Sequence, residues 1–463
     1  MWQFITKYLV IMAKKTEFAS KVGLIAATVG SAIGLGNVWR FPAEAQANGG
    51  AAFLIVYIAC VLILGIPVMV TEFALGRAGG SDAIGAFKHL HASRGWWAIG
   101  GLAILASYLI LCFYMVVAGW TLEYLWDSVT GSLYDIDASL TERGAFTQKM
   151  ELLTQSWWQP LTGTFTVICI NLVILIIGVQ KGIERVSNVL MPLLFVILLI
   201  FMVVSFSLPN ASDGIEFFLK PDFSKLDATV MLNAMGQAFF SLSLGMGILI
   251  TYGAYFPKST RLTRTAVTVS LLDMTVAVMM GLIIFPAVTS FGLTGEGLRG
   301  ATLVFVTLPE VFYMTPGTRI WSTLFFLLLS VAAITSTIAI AEVSVSFMQH
   351  RFRFSRVKAC VAVLAPLLVL SSVCSLSQGP WSNHTVCGMT IFDFLDTLAT
   401  NIMLPIGSIA LCIYMGWFAP KQLLHKQLTN NGSKKSRMSP VVMFIIRYVA
   451  PILILWVLAG NFL

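Results

Sequence analysis

The chain has 463 residues, of which 57% are hydrophobic and 11% are charged, and its formal net charge is +8 at pH 7. Soluble domains carry about 25% charged residues, so the composition excludes a soluble protein and predicts one integral membrane domain over 1–463. Nucleic-acid binding is also excluded, because the lysines and arginines lie in short loops on alternating sides of the predicted spans, as the positive-inside rule describes.

Eleven apolar segments predict eleven membrane-spanning helices, because about 20 apolar residues are needed to cross the hydrocarbon core. Basic inner loops place the N-terminus in the cytoplasm and, after eleven crossings, the C-terminus outside. This pattern is typical of a multi-pass protein of the cell (inner) membrane. Longer outer segments follow helices 3, 5 and 7, and short helices are expected in the last of them. The predicted spans are helix 1 (22–47), helix 2 (51–75), helix 3 (97–126), helix 4 (162–179), helix 5 (186–207), helix 6 (229–254), helix 7 (266–290), helix 8 (320–348), helix 9 (359–375), helix 10 (390–417) and helix 11 (440–460).

Helix 1 is interrupted in the middle of its apolar sequence. Residues 26–42 read AATVGSAIGLGNVWRFP, with three glycines followed by Asn37 and Arg40. Irregular backbone at membrane depth is tolerated only where protein buries it or a water-filled cavity faces it. Freed carbonyl groups there can bind a cation, and freed amide groups can bind an anion. The glycines alone also fit a helix-packing motif, but packing does not account for Asn37 and Arg40 in the same span.

Helix 6 is the second glycine-interrupted span, at SLSLGMG (241–247). It lies five spans after helix 1, and because five is odd, two five-helix units with this offset would have opposite orientations in the membrane. This predicts an inverted repeat with a first unit at 22–207 and a second at 229–417, followed by helix 11 at 440–460. In such repeats the binding site lies near mid-membrane between the broken helices.

The cysteines and histidines do not indicate a metal site. The seven cysteines are scattered and form no CxxC pair. Cys374 and Cys387 flank one predicted outer loop, where either a disulfide or two free thiols would fit. The five histidines lie in or beside loops without the spacing of metal ligands.

The motifs of the broken helices resemble a known family. Residues 30–42, GSAIGLGNVWRFP, closely resemble the first helix of the neurotransmitter:sodium symporter family, the LeuT-type transporters. FFSLSLGMG in helix 6 and AAITSTIAIAE in helix 8 extend the resemblance over most of the chain. It implies an all-α membrane protein with the LeuT-type 5+5 inverted repeat. It also implies the eleven-helix prokaryotic branch of the family, and no enzyme activity.

Polar residues at matching depths are candidates for sodium ligands. A dehydrated sodium ion needs several oxygens, which carbonyls of unwound helix and Ser, Thr, Asn or Asp side chains can supply. Each Ser or Thr has the alternative of bonding back to its own helix, whereas an intramembrane acid such as Asp273 is by default a functional candidate. The candidates are Ser31, Asn37, Ser241, Ser243, Asp273, Thr335 and Ser336.

The resemblance implies two sodium sites and no chloride. Asp273 stands where the family usually has Asn, and its carboxylate can supply the charge that chloride brings in other members. It could also take up a proton when sodium leaves. Site 1 would contain Ala32, Asn37, Ser241 and Asp273, and site 2 would contain the carbonyls of Gly30, Ile33 and Ala332 with Thr335 and Ser336. The positions that correspond to a chloride site are Tyr57, Gln237, Ser241, Asp273 and Ala277.

The resemblance also implies a neutral amino acid as substrate. Amine carriers of the family have an Asp where this chain has Gly34. Amide groups near Leu35 and Gly36, the sodium ion and the Tyr114 hydroxyl can instead receive a carboxylate. The side-chain wall is mostly apolar and favours a hydrophobic or aromatic substrate, although ordinary helix packing is the alternative for its apolar members. The implied substrate residues are Ser31, Ala32, Leu35, Gly36, Ile110, Tyr114, Phe240, Ser241, Ser243, Met246, Ser336 and Ile340.

Gates on both sides of the site are implied as well. Arg40 and Asp396 would pair on the outer side, or each is only an interfacial charge. Lys15 matches the inner-gate cation of the family, but the position of its acidic partner holds His350. Nearby alternatives for that partner are Glu17, Tyr255 and Glu342.

A Gly-x9-Pro pattern runs from Gly182 to Pro192 at the start of helix 5. Some relatives use it to unwind that helix and let water reach the second sodium ion. A proline removes a backbone hydrogen bond, which neighbouring structure can replace. A static kink is the alternative.

The sequence thus predicts a sodium-coupled symporter of neutral amino acids, in which bound sodium and substrate each raise the affinity for the other. The alternatives are a proton-coupled carrier and an amino acid sensor without flux. An aspartyl membrane protease is disfavoured, because Asp393 and Asp396 lie near the outer end of helix 10 and no GxGD motif accompanies Asp273. The expected partners are the substrate, sodium and the lipid bilayer, and the oligomeric state is left open.

Overall fold

The protein is described by a computed structural model over residues 17–90, 95–136, 141–293, 300–433, 435–436 and 438–460. The expected inner-gate residue Lys15 lies outside these residues. Within them, nine helices are long and apolar enough to cross a membrane, and a bent pair of helices makes a tenth span. The eleventh predicted span, helix 6, is present as two shorter halves.

The observed spans agree with the predicted ones and are numbered in the same order. The largest difference is at α5, which begins at Val179 and not at the predicted residue 186. The spans are α1 (α1a, Lys21–Ala32, and α1b, Gly36–Ala47), α2 (Ala51–Gly79), α3 (Trp97–Thr130), α4 (Gln159–Ile177), α5 (Val179–Phe206), α6 (α6a, Ala228–Ser241, and α6b, Ile248–Ala254), α7 (Leu262–Ser290), α8 (Thr318–Phe352), α9 (Arg356–Leu376), α10 (Ile391–Phe418) and α11 (Ser439–Gly460).

α1 is broken where glycines interrupt its apolar sequence. α1a begins after Ser20, whose hydroxyl accepts a hydrogen bond from the Gly23 amide at 2.9 Å. It ends before Ile33, which has an extended ψ of 111°, and the two halves meet at 53°. α1b then starts with a π-helical turn over Gly36–Arg40. Backbone groups around 33–36 therefore leave the regular helical hydrogen-bond pattern and become available to other partners.

α6 is broken by three residues with left-handed backbone conformations. Ser243, Gly245 and Gly247 have φ angles of 54°, 78° and 73°, a region that only glycine adopts without steric cost. Ser243 carries a side chain and is therefore strained. Its hydroxyl donates a hydrogen bond at 2.9 Å to the Ser31 carbonyl of α1a, so the two broken helices are joined at their breaks.

The breaks are enclosed by the other helices. α3 and α8 pack against each other, α8 also contacts α1a and α5, and α2 packs against α6b. Ile33, Leu35, Leu242 and Leu244 at the breaks are at most 2% exposed, so protein surrounds the irregular backbone, as its position in a membrane requires. Each break occurs in the first helix of a predicted five-helix unit, and the inverted relation between these units stays a prediction.

Two outer segments that read as loops in the sequence are helical. Glu142–Gln155 is capped by Thr141, whose hydroxyl accepts from the Gly144 amide at 3.2 Å. Ala211–Leu219 packs Phe218 against Phe285 of α7, with ring centroids 5.2 Å apart. Short amphipathic helices of this kind depend on such tertiary partners, which a local sequence pattern does not reveal. The third outer segment contains the apolar helix Gly300–Tyr313, as expected.

The outer loop between α9 and α10 forms a short hairpin. β1 (Thr385–Val386) pairs antiparallel with β2 (Met389–Thr390). Cys387 and Gly388 form its turn, with φ angles of 53° and 78°. Cys374 is buried near the end of α9, whereas Cys387 is exposed, and both are free thiols. Of the two alternatives for this pair, the structure has the unpaired one.

Candidate ion and substrate site

Four helices meet at the Asp273 side chain of α7. Asn37 of α1b donates a hydrogen bond from Nδ2 to its Oδ1 at 2.8 Å, and Ser241 of α6a donates to its Oδ2 at 2.6 Å. The Tyr57 hydroxyl of α2 lies 3.4 Å from the Ser241 hydroxyl. Asp273 is completely buried, so a single carboxylate in the protein interior holds both helix breaks together.

The Asp273 carboxylate has no basic partner among the described residues, since the four ion pairs found there involve other acids. An isolated buried carboxylate is costly unless a cation or several donors compensate it. Its partners are the Asn37 amide nitrogen and the Ser241 hydroxyl, which donate hydrogen bonds but bring no positive charge. The carboxylate is therefore a candidate to bind a cation.

The residues that correspond to a chloride site also come together. Tyr57, Ser241 and Asp273 are linked as described, and Gln237 donates from Nε2 to the Gly36 carbonyl at 3.0 Å. Ala277 is buried one turn after Asp273 in α7. The fixed carboxylate thus lies within the very group of residues that would otherwise surround an anion.

The second predicted ion site is formed by α1a and α8. The Ser336 hydroxyl lies 3.2 Å from the Ile33 carbonyl and 3.4 Å from the Gly30 carbonyl. Thr335 instead bonds back to its own helix, at 3.0 Å to the Val331 carbonyl, which was the alternative for any single hydroxyl. A Cβ atom on Gly30 would lie 3.3 Å from the Thr335 Cβ. Of the two hydroxyls, Ser336 therefore contacts the α1a carbonyls, whereas Thr335 bonds within α8.

The expected substrate groups border the break of α1. The Leu35 amide donates to the Tyr114 hydroxyl at 2.9 Å. A Cβ on Gly34 would lie 2.6 Å from the Ser336 hydroxyl and 2.7 Å from the Tyr114 hydroxyl, so a larger residue would have to displace these hydroxyls. The predicted wall residues Ile110, Met246 and Ile340 are buried, with exposed fractions of 1%, 3% and 4%, and so are Ser31, Ala32 and Ser243.

A cavity of about 330 Å³ lies on the predicted outer side of the site, lined by α1b, α6a, α10 and α11. The predicted ion pair between Arg40 and Asp396 is not formed in this conformation. Arg40 instead lies 4.6 Å above the Phe240 ring and 3.9 Å from the Glu44 carboxylate.

On the predicted inner side, Glu342 and Tyr255 belong to a hydrogen-bonded group that the sequence analysis identified only in part. His350 bonds to the Ser346 carbonyl of its own helix at 2.8 Å. The buried Glu342 carboxylate binds both terminal nitrogens of Arg356, at 2.8 Å and 2.6 Å, and accepts from the Tyr255 hydroxyl at 2.7 Å. Arg356 was missed because it lies in a run of loop cations that the positive-inside rule accounts for.

Two further buried acids support the broken helices and were not predicted. Glu72 of α2 accepts from the Gly245 amide at 2.8 Å and so holds the break of α6. Glu184 of α5 accepts from the Ala19 and Ser20 amides at 2.7 Å and 3.0 Å. The sequence signal that could have identified them is an acidic residue inside an apolar span. Such a residue is costly to bury, so it is expected to have a structural or functional role.

Helix α5 is continuous through its Gly-x9-Pro pattern. Val179–Glu184 forms a π-helical turn that contains Gly182, and Pro192 lies inside the regular helix that follows. Unwinding of this segment is not seen in the described conformation and stays a prediction for another one.

Comparisons with known proteins agree with the membrane architecture. The sequence matches the profile of the Sodium:neurotransmitter symporter family over residues 15–143 and 145–463. It is 33% identical over 446 residues, 96% of each chain, to the uncharacterised sodium-dependent transporter YhdH of Bacillus subtilis (strain 168). It is 36% identical over 415 residues, 87% of this chain and 82% of the other, to an uncharacterised sodium-dependent transporter of Methanocaldococcus jannaschii. The crystal structure of MhsT in complex with L-phenylalanine has a TM-score of 0.87 and 38% identity, covering 96% of this chain and 99% of that one.

Proposed function

Because the chain belongs to the Sodium:neurotransmitter symporter family, we propose that it couples two sodium ions to the uptake of neutral, hydrophobic or aromatic L-amino acids, independently of chloride. The family assignment establishes a multi-pass membrane transporter of LeuT-type fold that uses sodium and is not an enzyme. The observation that carries the proposal is the buried Asp273 carboxylate, held at both helix breaks by Asn37 and Ser241.

The first sodium ion would bind beside Asp273. Its ligands would be the Asp273 carboxylate, the Ser241 hydroxyl, the Ala32 carbonyl and the Asn37 side-chain oxygen. The Asn37 amide would have to turn over for this, because it now donates from Nδ2 to Asp273. The carboxylate supplies a fixed negative charge, so no chloride is needed to balance the ion. When sodium leaves, the same carboxylate can take up a proton, which would make proton antiport part of the cycle.

The second sodium ion would bind between α1a and α8. The Gly30 and Ile33 carbonyls both lie within 3.4 Å of the Ser336 hydroxyl, and the Ala332 carbonyl and Thr335 hydroxyl are 3.1 Å apart. An ion bound here would fix α1a against α8, which links sodium binding to the position of the broken helix.

A neutral amino acid would bind at the break of α1. Its carboxylate would reach the Leu35 and Gly36 amides, the Tyr114 hydroxyl and the first sodium ion, and its ammonium group would reach freed carbonyls. A side chain at position 34 would collide with the Ser336 and Tyr114 hydroxyls. This close contact disfavours an Asp there, the residue with which amine carriers of the family bind the amine. The buried apolar wall around Ile110 and Ile340 favours a hydrophobic or aromatic side chain, and the neighbour MhsT was solved with L-phenylalanine.

Transport would proceed by alternating access. The cavity on the predicted outer side and the Glu342–Arg356–Tyr255 cluster on the predicted inner side support an outward-facing state. α1, α2, α6 and α7 would then tilt against the remaining helices, which opens the inner side. Because substrate and sodium share a site, each raises the affinity for the other.

The experiment is uptake of radiolabelled Phe, Leu, Trp and Tyr into proteoliposomes in chloride-free buffer. An inward sodium gradient is compared with an equal choline gradient. We expect accumulation only with sodium, and competition among unlabelled amino acids identifies the preferred one. Equal uptake in choline would point to proton coupling instead, and binding without uptake in either buffer would indicate a sensor.

A further inference from the structure

A polar cavity opens on the predicted cytoplasmic side, away from the substrate site. Its volume is about 630 Å³, and it lies between the start of α1a, the end of α6b and the start of α7. Lys21, Arg261 and Arg264 line it, together with the hydroxyl side chains of Thr265 and Thr268. We refer to it as the basic cavity.

The basic cavity has a strong positive charge. Its lining contains three basic side chains and no Asp or Glu, and Lys21, Arg261 and Arg264 are all exposed. Among the described residues, none of the three takes part in an ion pair. The nearby Glu184 carboxylate is already bound by the Ala19 and Ser20 amides and the Ser20 hydroxyl. Three cations without an ion pair around one concave surface attract an anion with several oxygen atoms, such as a phosphate group.

The first turn of α7 borders the cavity and adds to this attraction. α7 is a helix of 29 residues that begins at Leu262, and its N-cap residue Arg261 makes no side-chain capping hydrogen bond. The amide groups of an uncapped first turn carry partial positive charge and bind anions. The helix end and the three side chains therefore favour the same kind of ligand.

The position of the cavity indicates where that ligand comes from. Val22, next to Lys21 in α1a, is 72% exposed, and Leu271, two turns beyond Arg264 in α7, is 41% exposed. Exposed apolar side chains on two spanning helices face lipid chains, so the cavity lies at the level where lipid headgroups begin. The chain's own residues 1–16 are not expected to occupy the cavity. They contain three lysines and no acid, so the positive charge of the cavity would repel them.

We propose that the basic cavity binds the phosphate group of an anionic phospholipid of the inner leaflet, such as phosphatidylglycerol. Basic pockets between spanning helices on the cytoplasmic side bind anionic headgroups in this way. The phosphate would bridge Lys21 of α1a to Arg261 and Arg264 of α7, so the bound lipid would stabilise the described arrangement of these helices.

The test measures the thermal unfolding of the full chain in neutral detergent during titration with phosphatidylglycerol, phosphatidylcholine or inorganic phosphate. We expect stabilisation by phosphatidylglycerol only. In R261Q/R264Q the apparent affinity for this lipid should fall about tenfold or more, whereas the charge-conserving R261K/R264K should retain most of it.

The matched control is R351Q/K358Q, which removes two exposed cations from the inner ends of α8 and α9. It should leave the lipid titration within about twofold of the unmodified chain, and all variants should unfold at similar temperatures without lipid. An equal loss in both double variants would overturn the cavity as the site. Equal stabilisation by inorganic phosphate would contradict the proposal that the ligand is a lipid and would indicate a soluble anion instead. Because the readout is binding, either result is independent of transport.

Discussion

At the break of α1, glycine is favoured at two positions because neighbouring side chains come very close to the backbone. Gly34 faces the hydroxyls of Ser336 and Tyr114, and Gly36 faces the Phe240 ring, each at a distance that leaves no room for a Cβ atom. The sequence identified these positions as glycines in a break. It named Tyr114, Phe240 and Ser336 only as substrate residues implied by the resemblance. It did not identify them as the side chains that pack against these glycines, because they lie far away in the chain, in α3, α6a and α8.

Gly34→Ala should weaken substrate binding, because its new methyl group would meet two hydroxyls at 2.6 Å and 2.7 Å. Overpacking of this kind predicts at least about tenfold weaker binding of L-phenylalanine in a scintillation proximity assay. The control is Gly101→Ala in α3, whose Cβ would make an ordinary contact of 3.7 Å. An unchanged affinity of Gly34→Ala for L-phenylalanine would show that the backbone at this position is not part of the substrate site.

Ser336→Ala should raise the sodium concentration for half-maximal uptake by about fivefold, the effect of losing roughly one hydrogen-bond-strength interaction. The hydroxyl lost lies between the Ile33 and Gly30 carbonyls. Ser344→Ala, on the same helix, is the control, because its buried hydroxyl has no hydrogen-bond partner among the described residues. If both variants keep the same sodium dependence, site 2 does not contain Ser336.

At the scale of elements, α1a is held to α5 by one carboxylate. Glu184 accepts hydrogen bonds from the Ala19 and Ser20 amides and from the Ser20 hydroxyl. A Cβ on Gly23 would collide with the Glu184 side chain, which shows how closely the helices approach. Glu184 lies in the π-helical turn at the start of α5, so movement of α1a would disturb the segment that contains Gly182.

Glu184→Gln should loosen α1a, because charge-assisted hydrogen bonds to its two amides are replaced by weaker neutral ones. We expect hydrogen–deuterium exchange of the peptide covering Ala19 and Ser20 to become severalfold faster, and that of α3 to stay the same. Arg185→Gln, an exposed neighbour, should change neither. If this peptide exchanges equally slowly in Glu184→Gln and Arg185→Gln, Glu184 does not hold α1a in place.

The sequence predicted the membrane elements well and the remaining ones poorly, for physical reasons. An apolar span and a glycine break are local features, so α1 to α11 and both breaks could be read directly. The outer helices Glu142–Gln155 and Ala211–Leu219 depend on tertiary partners. The Glu342 cluster includes Arg356, which begins α9 and lies 14 residues after Glu342. The sequence shows it only as one of several cations in a predicted inner loop.

At the scale of the whole molecule, the conformation combines a cavity on the predicted outer side with the Glu342–Arg356–Tyr255 cluster on the predicted inner side. Arg356 and Glu342 form an ion pair in which the acid is fully buried, so removing one partner leaves an uncompensated charge. Arg356→Gln should therefore destabilise the closed inner side by about 3 kcal/mol and shift the protein towards an inward-facing state.

The shift is measured with a thiol reagent that reaches a cysteine introduced on the inner pathway. We expect faster labelling in Arg356→Gln and partial recovery in the double variant E342Q/R356Q, where no buried charge remains. Arg351→Gln removes a nearby exposed cation and serves as the control. Labelling at the same rate in Arg356→Gln and Arg351→Gln would contradict a gating role for this cluster.

The most direct measurement of the central claim is sodium-driven L-phenylalanine uptake by Asp273→Asn, with and without chloride. If Asp273 supplies the charge beside the first sodium ion, the variant should lose most uptake in chloride-free buffer and regain part of it when chloride is added. Asp393→Asn, an exposed acid in α10, should behave like the unmodified chain in both buffers. Full sodium-driven uptake by Asp273→Asn without chloride would contradict the account.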